Sequence, residues 1–262
     1  MPAFQNDGLT LAYDDITPAG GARTTVVLIH GFVSNRNEGW RRTGWYGAFE
    51  RRGCRVIALD QRGHGESAKP HEPEAYLRAN LVSDVLALLD HLQIAEADVF
   101  GYSMGARTAL ATGLAAPERV SNLILGGVGA RLLEERPGGA GASMAEALTT
   151  EDPETIEHPM QRNFRMFAEQ QGDDRQALAA MSLATNPPWN PPEFATIRAP
   201  VLVVTGQRDL SAGDPDGLAE TFRSGRGVSV VGCDHFSAIP HGLTKAAVFD
   251  FLDGLLDDPF AR

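Results

Sequence analysis

The sequence predicts a three-layer α/β fold, a mostly parallel central sheet covered by helices and carrying an inserted helical cap. Three observations lead there. Short apolar runs recur with longer amphipathic segments between them, as when crossover helices join parallel strands. Several of those runs place Val, Ile and Leu on consecutive rather than alternate positions, the mark of strands covered on both faces. The stretch from Ala130 to Arg198 breaks this rhythm and offers no convincing strand.

In chain order, Leu9 to Asp14 nearly alternates and reads as an outer antiparallel strand, paired through the turn material at Pro18, Gly20 and Gly21. Core strands are expected at Val26 to His30, Arg55 to Asp60, Asp98 to Tyr102, Asn122 to Leu125, Val201 to Thr205 and Val228 to Val231. Leu81, Val85, Leu88, Leu89 and Leu92 form one apolar stripe, so Leu77 to Leu92 reads as a helix, as does Leu243 to Leu256. A third helix begins after Ser103 and runs through Ala106, Ala109, Leu110 and Leu114 until Pro117 stops it; its alanines allow close approach to the sheet.

The 262 residues suffice for one large core and are short for two domains, so residues 1–129 and 199–262 are assigned to the core and 130–198 to the cap. Pro137, Gly138, Gly139 and Gly141 open the cap, and the Asn186 to Pro192 stretch closes it. Its Met144, Met160, Phe164, Met166, Phe167, Met181 and Trp189 either line a pocket or form the cap's own small core.

Thirty-four acidic residues stand against 23 basic ones, a formal net charge of -11, which argues against a nucleic-acid backbone or an anionic membrane as partner. No uninterrupted apolar run reaches membrane-spanning length, and the first residues lack a basic region followed by an apolar one, so a cytoplasmic protein without stable membrane association is expected. Cys54 and Cys233 lie outside any Cys-x-x-Cys spacing and read as reduced core thiols. The seven histidines are dispersed, which predicts no metal site, and Gly101 to Gly105 lacks the spacing and the Lys of a phosphate loop, so no cofactor is expected.

Chemistry concentrates at Gly101, Tyr102, Ser103, Met104 and Gly105, a Gly-x-Ser-x-Gly pattern between a strand and a helix. Glycines on either side permit a sharp turn that exposes the Ser103 hydroxyl. A serine needs an adjacent base, and His235, just after the last strand-like run, is the candidate. Asp209 follows Val201 to Thr205 by a short loop and can fix the imidazole's tautomer, with Asp214 and Asp234 as substitutes. The backbone amides of Phe32 and Met104 are the expected oxyanion donors, and His30 is expected to hold the Phe32 loop by hydrogen bonds. For substrate contacts the sequence nominates Phe32, Met104, Phe164, Phe167 and Trp189.

With these residues in view, the chain resembles the α/β-hydrolase superfamily, in its compact esterase-like and haloperoxidase-like branch with a helical cap. The likeness covers nearly the whole chain. It rests on His30-Gly31-Phe32, on Asp60 to Gly65 with Ser67, on the Ser103 elbow, on Gly206 to Asp209 and on Gly232 to Phe236. It implies the order serine, acid, histidine, here Ser103, Asp209, His235. It also implies that Asp60 and Arg62 organise backbone near the site. Haloalkane dehalogenases and soluble epoxide hydrolases of this fold carry an aspartate at the elbow, where this chain has Ser103. The expected activity is hydrolysis of a small or medium uncharged carboxylic ester through an acyl-enzyme. Carbon-carbon hydrolysis of a vinylogous diketone, lactone or amide hydrolysis and perhydrolysis are the catalytic alternatives, and a noncatalytic ligand-binding protein on the same fold is the alternative of a different class. Oligomeric state is left open.

Overall fold

The computed structural model describes residues 2–134 and 139–257. Eight strands, β1 (Ala3–Asn6), β2 (Leu9–Ile16), β3 (Thr24–Ile29), β4 (Cys54–Leu59), β5 (Ala97–Tyr102), β6 (Val120–Gly126), β7 (Val201–Gly206) and β8 (Gly225–Val230), form one sheet in the order β1-β2-β4-β3-β5-β6-β7-β8. From β4 to β8 every neighbouring pair is parallel. The consecutive apolar runs behave as expected: every residue of β5 and of β7 is buried, because helices cover both sheet faces. Among the parallel strands, only the edge strand β8 is largely unburied.

The amino-terminal pairing differs from expectation. β2 is antiparallel, but its partners are β4 on one side and β1 on the other; the Pro18 to Gly21 segment leads into β3, which does not pair with β2. The hairpin turn is Asp7-Gly8, with Asn6 opposite Leu9 and φ of +49° and +76° at the two turn residues. Asp-Gly is the dipeptide that accepts two successive left-handed conformations, so the signal for β1 was present in the sequence.

Helices α1 (Trp45–Arg51), α2 (Arg78–His91) and α3 (Met104–Ala115) follow β3, β4 and β5. Beyond β6 come the cap helices α4 (Ala140–Thr149), α5 (Pro159–Gln171), α6 (Arg175–Leu183) and α7 (Pro191–Phe194), with no strand before β7 among the described residues. Pro137 and Gly138 lie outside the described residues. Helices α8 (Pro215–Ala219) and α9 (Gly242–Leu252) complete the core; α9 ends before the expected Leu256 because Gly254 turns left-handed, at φ +72°.

One apolar cluster lies on each sheet face. On one, Val27, Ile29, Leu88, Ala106, Leu110 and Val203 pack under α2, α3 and α8; on the other, Leu28, Phe100, Trp45, Phe49 and Val248 pack under α1 and α9. A smaller cluster joins Leu148, Ala168 and Leu178 of the cap to Phe32 and Val33, and thereby seats the cap on the loop after β3. Cys54 and Cys233 are both free and buried.

Candidate active site

Three parallel strands deliver the chemical groups at their carboxyl ends, where open α/β sheets present ligand sites. Ser103 follows β5 directly, at φ +56° and ψ -111°, a strained conformation for a residue with a Cβ. The flanking glycines make this turn possible. A Cβ on Gly105 would approach within 2.6 Å of the Ile29 carbonyl carbon, and one on Gly101 would reach the Ala106 amide nitrogen at 2.6 Å. Helix α3 therefore starts pressed against β3, and the Ser103 hydroxyl projects into the space above the sheet.

His235 Nε2 lies 2.9 Å from Ser103 Oγ, and His235 Nδ1 lies 2.6 Å from Asp209 Oδ2. Asp209 is buried, and its other oxygen accepts the Ser211 hydroxyl at 2.6 Å and the amides of Ser211 and Ala212 at 3.1 Å each. Burial alone would raise this carboxyl's pKa; the bonds from His235, Ser211 and Ala212 outweigh it and hold the pKa below the ordinary aspartate value. An ionised carboxylate only accepts, so the proton sits on His235 Nδ1 and the Nε2 lone pair faces the serine hydroxyl. The two substitute acids are engaged locally: Asp214 caps α8 through the Gly217 amide, and Asp234 accepts from the Phe236 and Ser237 amides.

Two supporting residues escaped the sequence reading. The Tyr102 hydroxyl donates to the His235 carbonyl at 2.6 Å, and Ser211 bonds to Asp209 while lying 3.4 Å from His235 Nδ1. Only their adjacency to Ser103 and Asp209 could have suggested them. The acid and histidine loops also lock together, with the Arg208 amide donating to the Cys233 carbonyl at 2.8 Å.

The loop after β3 is held from below. His30 is fully buried, and burial lowers its pKa, so the ring is neutral. Its Nε2 accepts the Gln61 amide at 3.0 Å, which leaves Nδ1 to donate to the Gly31 carbonyl at 2.8 Å. Carbonyl and amide point opposite ways across a trans peptide, so this bond also sets the direction of the Phe32 N–H. Gln61 is anchored in turn, donating to the His30 carbonyl at 2.7 Å and accepting from the Thr108 hydroxyl at 2.9 Å. The expected backbone roles of Asp60 and Arg62 are visible too. Asp60 accepts the Arg36 and Glu66 amides and pairs with the Arg36 guanidinium, and Arg62 pairs with Asp84 and donates to the Ala75 carbonyl. Met104 opens α3, where a first-turn amide has no partner within its own helix.

Ser103 and His235 open into a cavity of about 150 Å³ whose walls include Phe32, Phe164, Phe167, Phe236 and Ile239. Phe164 meets Phe32 edge-on at 5.4 Å, and Phe167 meets Phe236 at 5.6 Å, so aromatic rings from cap and core meet over the serine. Of the nominated contact residues, Phe32, Phe164 and Phe167 line this cavity and Met104 and Trp189 do not. Trp189 packs instead against Phe194 of the main core cluster, with the Arg78 guanidinium 3.6 Å from its ring centroid. None of the cap methionines is in the wall either: Met144 and Met181 fill small cap clusters, and Met166 is exposed. Among the described residues no group of three or more His, Cys, Asp or Glu is arranged to hold a metal ion, and no helix is long and apolar enough to cross a membrane.

Residues 24–152 match the family described as alpha/beta hydrolase fold. A solved hydrolase from Pseudomonas aeruginosa superposes with a TM-score of 0.78 at 25% identity, over 96% of this chain and 97% of that one. This chain belongs to the α/β-hydrolase superfamily. Among curated relatives, 3-oxoadipate enol-lactonase 2 of Acinetobacter baylyi is 31% identical over 172 residues, 59% of this chain and 61% of the relative. The dihydrolipoyllysine-residue acetyltransferase component of an acetoin cleaving system from Pseudomonas putida is 44% identical over 121 residues, 45% of this chain and 30% of the relative. The matched stretches thus span between about a third and three fifths of these relatives. The superfamily neighbours are hydrolytically diverse, including enol-lactonases, an esterase and epoxide hydrolases.

Proposed function

We propose that this α/β-hydrolase chain is a serine-dependent hydrolase that cleaves a small, uncharged carboxylic ester through an acyl-enzyme, with residues 130–198 acting as the cap over the site. The observation that carries this reading is the continuous hydrogen-bonded line from Ser103 Oγ through His235 to buried Asp209, at the floor of an aromatic cavity. Ser103 attacks the ester carbonyl while His235 Nε2 takes its proton, and Asp209 stabilises the imidazolium that forms. The Phe32 and Met104 amides receive the developing oxyanion, fixed in advance by the His30 bond and by the start of α3. His235 then protonates the leaving alkoxide. Water enters, His235 serves again as base, and the acid is released.

Cavity size and lining support the substrate class. A volume of about 150 Å³ is below the usual range for drug-sized ligands, and four phenylalanines favour an apolar acyl group. The elbow residue separates this chain from the epoxide hydrolases it partly matches, because Ser103 stands where those enzymes carry a carboxylate nucleophile. A lactone is an internal ester that the same steps would open, and the partial match to an enol-lactonase makes it the second reading.

The test is a kcat/KM panel of C2 to C12 esters, lactones and vinylogous diketones, with Ser103→Ala as background and a fluorophosphonate as covalent label. The reading expects highest kcat/KM on a C2 to C8 ester, labelling on Ser103 alone, and loss of both in Ser103→Ala while circular dichroism is unchanged. Ser103-dependent diketone cleavage with negligible ester turnover would overturn it.

A further inference from the structure

Val33, next to the proposed oxyanion residue Phe32, sits at φ +51°, a left-handed conformation that a β-branched side chain strongly disfavours. Such a backbone persists only where its surroundings hold it. Both of its polar groups are held. The Val33 amide donates to Nε2 of buried His64 at 3.2 Å, a ring kept neutral by burial and by its neighbour His30. The Val33 carbonyl accepts from Gln171 Nε2 at 3.1 Å, and Gln171 is the last residue of cap helix α5. Gln171 makes a second contact with the same loop: its Oε1 accepts from Asn35 Nδ2 at 3.1 Å, and the Asn35 Oδ1 accepts the amides of Asn37 and Glu38.

We propose that Gln171 is a positioning residue through which the cap holds the oxyanion loop in its working conformation, so that the Phe32 amide is correctly aimed only when α5 is docked. The inference rests on the serine-hydrolase reading above. His30 sets the direction of the peptide before Phe32, while His64 and Gln171 hold the residue after it, and among the described residues the hydrogen bond to the Val33 carbonyl comes from Gln171. Gln171 is a polar wall residue of the substrate cavity, and α5 also carries Phe164 and Phe167, so the helix that encloses the substrate is the one that fastens the loop.

The test uses Gln171→Glu, which keeps the acceptor for Asn35 but loses the donor to Val33, and Gln171→Met, which keeps the volume and loses both. Readouts are kcat and KM on the best ester, and Ki for a trifluoromethyl ketone, whose hemiketal with Ser103 carries an oxyanion. Misaiming a donor by a fraction of an ångström predicts a fall in kcat of about 10- to 100-fold in both variants. KM should stay within about twofold, and the ketone's Ki should rise by the factor that kcat falls. Wild-type kcat in either folded variant overturns the proposal, as does a loss that falls on KM with the ketone's Ki unmoved. Absence of Ser103-dependent ketone binding and ester turnover in the wild type instead removes the serine-hydrolase reading, and this inference with it.

Discussion

Replacing Asp209 by Asn should remove catalysis through the tautomer of His235, and the surrounding hydrogen bonds dictate which way the new amide turns. Asp209 Oδ1 receives three donors, the Ser211 hydroxyl and the Ser211 and Ala212 amides, while Oδ2 is paired with His235 Nδ1. An asparagine must place its oxygen toward the two fixed backbone amides, because its NH₂ there would leave donors facing donors. The NH₂ then points at His235 Nδ1, which has to become the acceptor. The ring proton moves to Nε2 and donates to Ser103 Oγ, where a base is required. The same change in a serine-histidine-aspartate triad costs about 10⁴ in kcat, roughly 5 kcal/mol of barrier. Stability should change little, since the amide preserves shape, keeps three of the four hydrogen bonds and reverses the fourth. The measurement is kcat/KM on the best ester together with thermal melting. A loss under about tenfold in a protein of unchanged Tm would refute the tautomer argument and with it the role of Asp209.

Gly105→Ala should destabilise the fold as well as the site, because its Cβ would strike backbone atoms of Ile29 and His30 that cannot swing aside. Overpacking of this kind costs about 3 kcal/mol, or a Tm lower by roughly 6 to 12 °C; Gly20→Ala, whose Cβ meets nothing within 4 Å, is the neutral control, and equal Tm values in the two variants would contradict the packing. Asp173 should give a pH-dependent effect. Burial pushes its carboxyl up to about 6, and its Oδ2 has no hydrogen-bond partner among the described residues. Below about pH 4 the group is protonated both folded and unfolded, so it costs nothing. As pH rises through 4 to 6 the unfolded chain releases a proton that the folded one retains, and stability falls. Asp173→Asn should therefore raise Tm at pH 8, by about 3 °C after allowance for solvent screening, and leave it unchanged at pH 4. An equal shift at both pH values would assign the effect to packing instead of ionisation.

Much of the architecture is local and so could be read from one dimension. Consecutive apolar residues in Val26 to Ile29 and Val201 to Val204 are needed wherever a strand is covered on both faces, and the structure buries all of them. Ser103 was legible because Gly101 and Gly105 are forced by contacts a few residues away and by one neighbouring strand. What failed was partnership between segments that local pattern does not encode. The apolar alternation of Leu9 to Asp14 marks a strand but names no partner, so the pairing with β4 could not be read from the turn at Pro18. Trp189 and the cap methionines show the same limit: an apolar side chain in a cap satisfies its burial equally well against Phe194, against a neighbouring helix or in a substrate wall.

The sequence alone, then, determined the class of fold, the positions of its core strands along the chain and the elbow serine, because strand burial and a sharp glycine-flanked turn are requirements that residue types answer locally. It also pointed to His235 as the candidate base and to Asp209 as the candidate acid, with Asp214 and Asp234 as substitutes. Tertiary structure decided the rest. Asp209 rather than Asp214 or Asp234 faces His235 because the loops after β7 and β8 lock together across two adjacent strands, while the other two carboxylates are already occupied as caps of their own backbone. Which aromatic rings close over Ser103, and the hold of Gln171 on Val33, depend on how a helix some 130 residues downstream settles on the loop after β3. Packing between distant segments is set by complementary shape and paired donors and acceptors, quantities that exist only once both surfaces are folded.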